Sequence, residues 1–209
     1  MVSNTDFNID KFNDKLKKHI NFRLENSKIK ITDLVLEELI SFALEDSNNV
    51  HTYESGSHKK GADISTELEN YSIKSSKLDK GKLNISSFRL TRFEDDLNKM
   101  TNFIDNDGKN FDKYFVLARN ENNEQINYSF YILPADIFTA TNMVWVETKN
   151  KKNKITGWNT INNDVIKLKI VKSMSNQLWI EIDKNYVEEF LAFEISKDIS
   201  NIGKNRYIA

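Results

Sequence analysis

Residues 61 to 77 read GADISTELENYSIKSSK and bring an acid, Asp63, and a lysine, Lys74, to the two arms of one hairpin. With a loop over 67 to 70, antiparallel pairing sets Thr66 opposite Tyr71, Ser65 opposite Ser72, Ile64 opposite Ile73 and Asp63 opposite Lys74. Directly opposed residues share a face. One face then carries Ile64 and Ile73, suited to a core; the other carries Asp63, Ser65, Ser72 and Lys74. A one-residue slip would bury the charges, so the facing is well specified. A carboxylate beside an ammonium can hold a divalent cation while the lysine orients a water. The cation then polarises a phosphoryl oxygen and lowers the pKa of the water. Phosphodiester hydrolysis needs those parts: charge neutralisation, an activated water and in-line positioning. The competing account is a plain cross-strand ion pair, worth about 0.2–1 kcal/mol and of no functional meaning.

The residues that follow favour the chemical account. Between Lys74 and Arg92 stand Lys74, Lys77, Lys80, Lys82, Arg89 and Arg92 against the single acid Asp79, a local charge of +5 in a chain of net charge −1. A phosphate backbone is drawn to such a stretch. The chain is rich in Asn, Lys and Ile, which weakens lysine clusters as a signal. Arg89 and Arg92 do not share that bias, and the arginine fork suits phosphate and guanine.

The elements that must position these groups can be traced from periodicity. IDKFNDKLKKHINFRLEN spaces Phe12, Leu16 and Ile20 as one stripe of a helix within the N-terminal segment 1–30. A second helix starts after Thr32, its N-cap, with an apolar face of Val35, Leu36, Leu39, Ile40, Phe42 and Ala43 flanked by Glu37 and Glu38. KGKLNISSFRL is a strand. TRFEDDLNKMTNFID has Thr91 and Glu94 in capping-box spacing, then Phe93, Leu97, Met100 and Ile104 as a stripe ended by Asp107-Gly108. KYFVLARNENNEQINYSFYILP gives two strands and an Asn/Glu turn, stopped at Pro134. NMVWVET, DVIKLKIV and QLWIEID are further strands, and KNYVEEFLAFEISK is a closing helix. The expected fold is α/β or α+β, a central mixed sheet flanked by helices. It forms a single domain over 1–209: a catalytic core over 31–145 and a β-rich part over 146–209 that serves DNA contact and dimerisation.

Gly61-Ala62-Asp63-Ile64 followed by Ser72-Ile73-Lys74, a basic strand and a helix resembles the PD-(D/E)xK nuclease superfamily, and within it the type II restriction endonucleases. The likeness covers about residues 32 to 135. It implies a restriction-endonuclease-like core and Mg²⁺-dependent, sequence-specific hydrolysis of double-stranded DNA. By that resemblance Asp63 and the Ile73 carbonyl ligate Mg²⁺, and Lys74 polarises the attacking water. Ala62 replaces the usual proline, and Ser72 stands where the second carboxylate is expected. The missing acid must then come from a helix: Glu38, on the rim of the helix at 32 to 46, or Glu94, with the preference on Glu38. Lys77, Lys82, Arg89, Arg92 and His58 are the expected DNA contacts. A palindromic site is matched most simply by a two-fold homodimer.

Other signals narrow the field. The absence of cysteine excludes disulfides and thiolate zinc sites and fits a cytoplasmic protein. No apolar run approaches membrane-spanning length, and no Walker-type glycine loop points to a nucleotide cofactor. Of the histidines, His19, His51 and His58, none has zinc-ligand spacing. ETKNKKNKITGWNT is expected as a polar loop that either reads bases or faces solvent. Lys167 and Lys169 alternate with apolar neighbours and line one sheet face, while Trp145, Trp158 and Trp179 are expected as core or interface anchors. The rival functions are a repair or recombination nuclease of the same superfamily, a DNA-binding module without activity, and a structural protein.

Overall fold

The computed structural model describes residues 8–47, 51–53 and 62–207. Its helices are α1 (Ile9–Asn26), α2 (Asp33–Asp46), α3 (Leu97–Asn102) and α4 (Lys184–Val187). The strands are β1 (His51–Tyr53), β2 (Ile64–Thr66), β3 (Asn70–Asp79), β4 (Lys82–Arg89), β5 (Lys113–Glu121), β6 (Gln125–Pro134), β7 (Val144–Lys149), β8 (Ile155–Ile161), β9 (Ile166–Val171), β10 (Gln177–Asp183) and β11 (Leu191–Asp198). They form one mixed sheet in the order β11-β6-β5-β3-β4-β10-β9-β8-β7, with β2 joined to β3 and β1 to β2. The expected mixed sheet flanked by helices is present. No described helix is long and apolar enough to cross a membrane.

Both faces of the sheet are packed. On one, Phe12, Leu16, Ile20 and Leu24 of α1 and Leu36, Leu39, Ile40, Ala43 and Leu44 of α2 are buried against Ile64, Tyr71, Ile73, Phe115 and Phe130. Each fully buried aliphatic side chain contributes about 1.5–3 kcal/mol. Phe115 stacks between Phe12 and Tyr71, with ring centroids 5.5 Å and 4.1 Å apart. The first helix matches its predicted span. In α2 Leu44 completes the buried face, whereas Phe42 is exposed. Thr32 is the N-cap of α2, but its hydroxyl caps no N–H. On the opposite face, Met100 and Ile104 pack with Leu83, Ile85, Val116, Leu168 and Ile180.

Three elements differ from expectation. The segment after β4 does not begin a helix at Thr91. A 3-10 turn over Thr91–Phe93 is followed by Glu94 and Asp95 at positive φ, and Asp96 caps α3 by accepting the Lys99 N–H at 3.1 Å. The Asp96 cap beats the Thr91/Glu94 box because a left-handed residue cannot sit inside a helix. The ITGWNTI part of the expected polar loop is strand β8, paired with β7 and β9. Gly157 of β8 has φ +157, and a Cβ there would lie 2.0 Å from the Ile170 carbonyl oxygen. Finally, the closing helix stops after one turn. Buried Phe193 and Ile195 alternate with exposed Glu194 and Ser196, and β11 pairs with β6 along the sheet edge. Period-two burial decided that segment.

β3 governs the rest. It runs parallel to β5 along one edge, from Tyr71–Lys113 to Lys77–Arg119. Its other edge is shared: β2 pairs only at Tyr71 and Asn70, and β4 only from Lys77 to Asp79. Between them, Ser72 to Ser76 faces a gap with no strand partner on that side among the described residues.

Candidate active site

The gap leaves the amides of Ile73 and Ser75 to be met by something other than a strand, because a buried N–H without an acceptor is costly. Two carboxylates meet them. Asp63 Oδ2 accepts the Ile73 N–H at 2.6 Å, and Asp33 Oδ1 accepts the Ser75 N–H. Asp63 Oδ2 also receives Ser72 Oγ and Lys74 Nζ, both at 3.2 Å, and Lys74 Nζ donates to the Ile73 carbonyl at 2.8 Å. Asp63 and Lys74 retain only 23% and 18% side-chain exposure, so theirs is a largely shielded pair.

The observed register corrects the expected one. Ile64 lies opposite Tyr71 and Ser65 opposite Asn70, while the Asp63 N–H reaches the Tyr71 carbonyl at 2.8 Å. The turn is therefore two residues shorter, closed by Thr66 N–H to the Glu69 carbonyl, and Thr66 Oγ1 takes the amides of Leu68 and Glu69. A shift of two preserves facing. Asp63 and Lys74 still meet, diagonally, with Ser72 between them.

Neither acid expected to stand in for Ser72 reaches the hairpin pair. Glu38 is exposed on α2, and Glu94 is exposed at φ 50 in the turn after β4. Neither forms a hydrogen bond or ion pair with Asp63 or Lys74 among the described residues. Glu37 is the acid that converges. It is half-buried, and burial first, then the Asp63 carboxylate, push it up to about 7, with Asp33 adding and Lys74 opposing. Asp33 and Glu37 are four apart and so lie on one stripe of α2. One step along a helix turns a side chain by about 100°, which carries Glu38 away from that stripe. The Asp33–Glu37 spacing was the signal that sequence reasoning passed over.

The expected DNA contacts fare unevenly. Lys82 is tied to Asp183 at 2.9 Å, and Lys77 lies 3.7 Å from Asp79. The Arg92 guanidinium covers the rings of Phe93 and Phe103, at 4.7 and 4.1 Å from their centroids. The Arg89 side chain, exposed at the end of β4, has no hydrogen bond or ion pair among the described residues. His58 lies outside the described residues. His51 hydrogen-bonds Ser41 at 2.7 Å, and His19 bonds Asp46 at 3.1 Å. Trp158 is buried, and Trp145 donates to the Ala140 carbonyl, as anchors should.

Among the described residues no three His, Cys, Asp or Glu side chains form a group able to cage a metal ion by themselves, and Glu94 of the expected shell Asp63, Ile73 and Glu94 is exposed in the turn after β4. Mg²⁺ does not require such a cage, because it keeps several waters and takes one or two carboxylates plus substrate phosphate oxygens. Asp63 and Glu37 fit that demand. Among the described residues the hydrogen bonds to the Asp63 carboxylate all fall on Oδ2, and Glu37 carries a like-charge penalty that a cation would relieve. Searches against protein-family models, curated proteins and solved structures found no match to this chain.

Proposed function

We propose that the chain is a Mg²⁺-dependent endonuclease of double-stranded DNA with a restriction-endonuclease-like core of the PD-(D/E)xK kind. The observation that carries this reading is the convergence of Glu37, Asp63 and Lys74 on the unpaired stretch of β3. Glu37 supplies from α2 the acid that Ser72 does not. Asp63 and Glu37 would hold the metal, whose chemistry is to polarise a phosphoryl oxygen and ease ionisation of a bound water. Lys74, anchored by Asp63 and the Ile73 carbonyl, presents its ammonium to the attacking water and to the charge that develops on phosphorus. Ser72 and the Ile73 amide fix the Asp63 carboxylate, so the group is oriented before substrate arrives. Arg89 is poised to meet the DNA backbone. Sequence specificity and a homodimer on a palindromic site complete the proposal.

A second reading has its own support. Asp63 Oδ2 already takes three donors, an arrangement that also suits a DNA-binding module without activity. Digestion of plasmid DNA with Mg²⁺, with and without chelator, separates the two. Discrete fragments that vanish with chelator support the restriction-type reading. A smear or nicks point to an unspecific nuclease of the same kind. DNA retained but never cut defeats the enzyme and leaves the binding module.

A further inference from the structure

Ser75, the residue after Lys74 on β3, borders a cleft of about 740 Å³ that the nuclease chemistry does not use. Its walls come from β3, β4, β5, β6 and β10, and the residues leading into α2 close one side. It is within the 300–1,000 Å³ typical of small-ligand sites. Ser75 forms part of the wall, and its amide is the one held by Asp33, so cleft and candidate active site share a boundary.

The lining is both aromatic and cationic. Trp179 and Tyr128 contribute rings, and Lys30, Lys77 and Arg119 contribute positive charge, partly offset by Asp79 and Glu121. Two donors are left over. Trp179 Nε1 and Arg119 Nε are buried, and neither has an acceptor among the described residues. Buried donors without partners are rare enough that each needs an explanation, and a ligand rich in acceptor oxygens supplies one. Lys169 lies opposite Trp179 on β9, but its ammonium is paired with Glu181 at 2.9 Å, so the cleft's positive charge is that of Lys30, Lys77 and Arg119.

We propose that this cleft holds one unstacked nucleotide of the DNA strand adjoining the phosphate to be cut. Its base rests on Trp179, and its phosphate lies among Lys30, Lys77 and Arg119. The inference rests on the nuclease reading and names what that site does with the neighbouring nucleotide: it takes the base out of the stack. Aromatic platforms receive bases in this way without regard to sequence, and enzymes that extrude a base read it in a fitted pocket.

The test measures binding of fluorescein-labelled single-stranded oligothymidylate, and of its abasic counterpart, by anisotropy in chelator. Wild-type protein, Trp179→Ala, Trp179→Phe and Arg119→Met are compared, and plasmid cleavage in Mg²⁺ is assayed in parallel. The base-bearing strand is expected to bind wild-type protein about tenfold tighter than the abasic strand. Trp179→Ala should erase that preference, Trp179→Phe should keep most of it, and Arg119→Met should weaken both strands. Equal binding of the two strands by wild-type protein, or an undiminished preference in Trp179→Ala, overturns the inference. If plasmid is cut while Trp179→Ala keeps its preference, the cleft assignment falls and the nuclease reading stands. If the preference depends on Trp179 but no DNA is ever cut, the nucleotide site stands and the nuclease reading falls.

Discussion

The Asp33 carboxylate accepts the backbone amide of Ser75, joining the first turn of α2 to the unpaired stretch of β3. That bond fixes where the Asp33–Glu37 stripe lies, and so which acid of α2 approaches Asp63 and Lys74. Helix placement and strand interruption are one event here. β4 reaches β3 only at Lys77, β2 leaves it after Tyr71, and α2 fills the opening with acids.

Asp63→Asn and Lys74→Met should each lower Mg²⁺-dependent DNA cleavage by about 10²-fold or more, because each removes charge from the transition state. Asparagine keeps an oxygen to accept the Ile73 amide, so Asp63→Asn should fold normally and still bind DNA. Asp63→Ala lacks that oxygen and should lose about 1–3 kcal/mol of stability. Cleavage rates with denaturant melts check both halves; full activity in Asp63→Asn would refute the assignment.

Glu37→Gln and Glu38→Gln differ by one position and should differ sharply in effect. The first removes the acid that senses Asp63 and should cost about as much activity as Asp63→Asn. The second alters an exposed side chain and should leave cleavage within about twofold, as expected of surface substitutions. The reverse pattern in a side-by-side digest would return the role to Glu38.

Glu37 also predicts how stability varies with pH. Its folded value of about 7 is above the ordinary 4.5, so the folded state holds this proton more tightly than the unfolded chain does. The favourable contribution is complete below 4.5 and is lost as pH rises through about 7. Glu37→Gln removes the dependence, so its melting temperature should exceed that of wild type at pH 8 and match it more closely at pH 5. Added Mg²⁺ should raise the wild-type melting temperature at pH 8 and leave Glu37→Gln little changed. Identical pH profiles for the two proteins would count against the coupling.

Arg89 and Lys82 are both cations of β4 but should not matter equally to DNA. Lys82 already spends its charge on Asp183, whereas Arg89 is exposed and unpaired among the described residues. Arg89→Ala should weaken binding across all sequences and reduce the dependence of log affinity on log salt by about one unit, with Lys82→Ala having the smaller effect. Salt titrations of both variants decide it.

How legible this was varied with the physics. The polar side of the hairpin was readable because alternation survives a two-residue error in the turn: Asp63 and Lys74 share a face in either register. The turn itself was not, since Thr66 Oγ1 closes it by binding two amides, a contact that residue types alone do not announce. That Glu37 and not Glu38 approaches Asp63 was hidden because α2 has a broad apolar face, and only its docking across β3 sets its rotation. The spacing of Asp33 and Glu37 places both on the stripe that faces β3. β11 was taken for helix because KNYVEEF has helical character, whereas the alternation of Phe193 and Ile195 with Glu194 and Ser196 needed β6 as a partner to express itself.

The open stretch of β3 has a consequence for solubility. A bare strand edge is a template onto which another extended chain can add. Asp33 and Asp63 occupy the two amides such an intruder would need. Besides any part in chemistry, the acids act as guards. A double Asp33→Ala, Asp63→Ala protein would present that template unprotected, and its first failing should be clumping through strand addition.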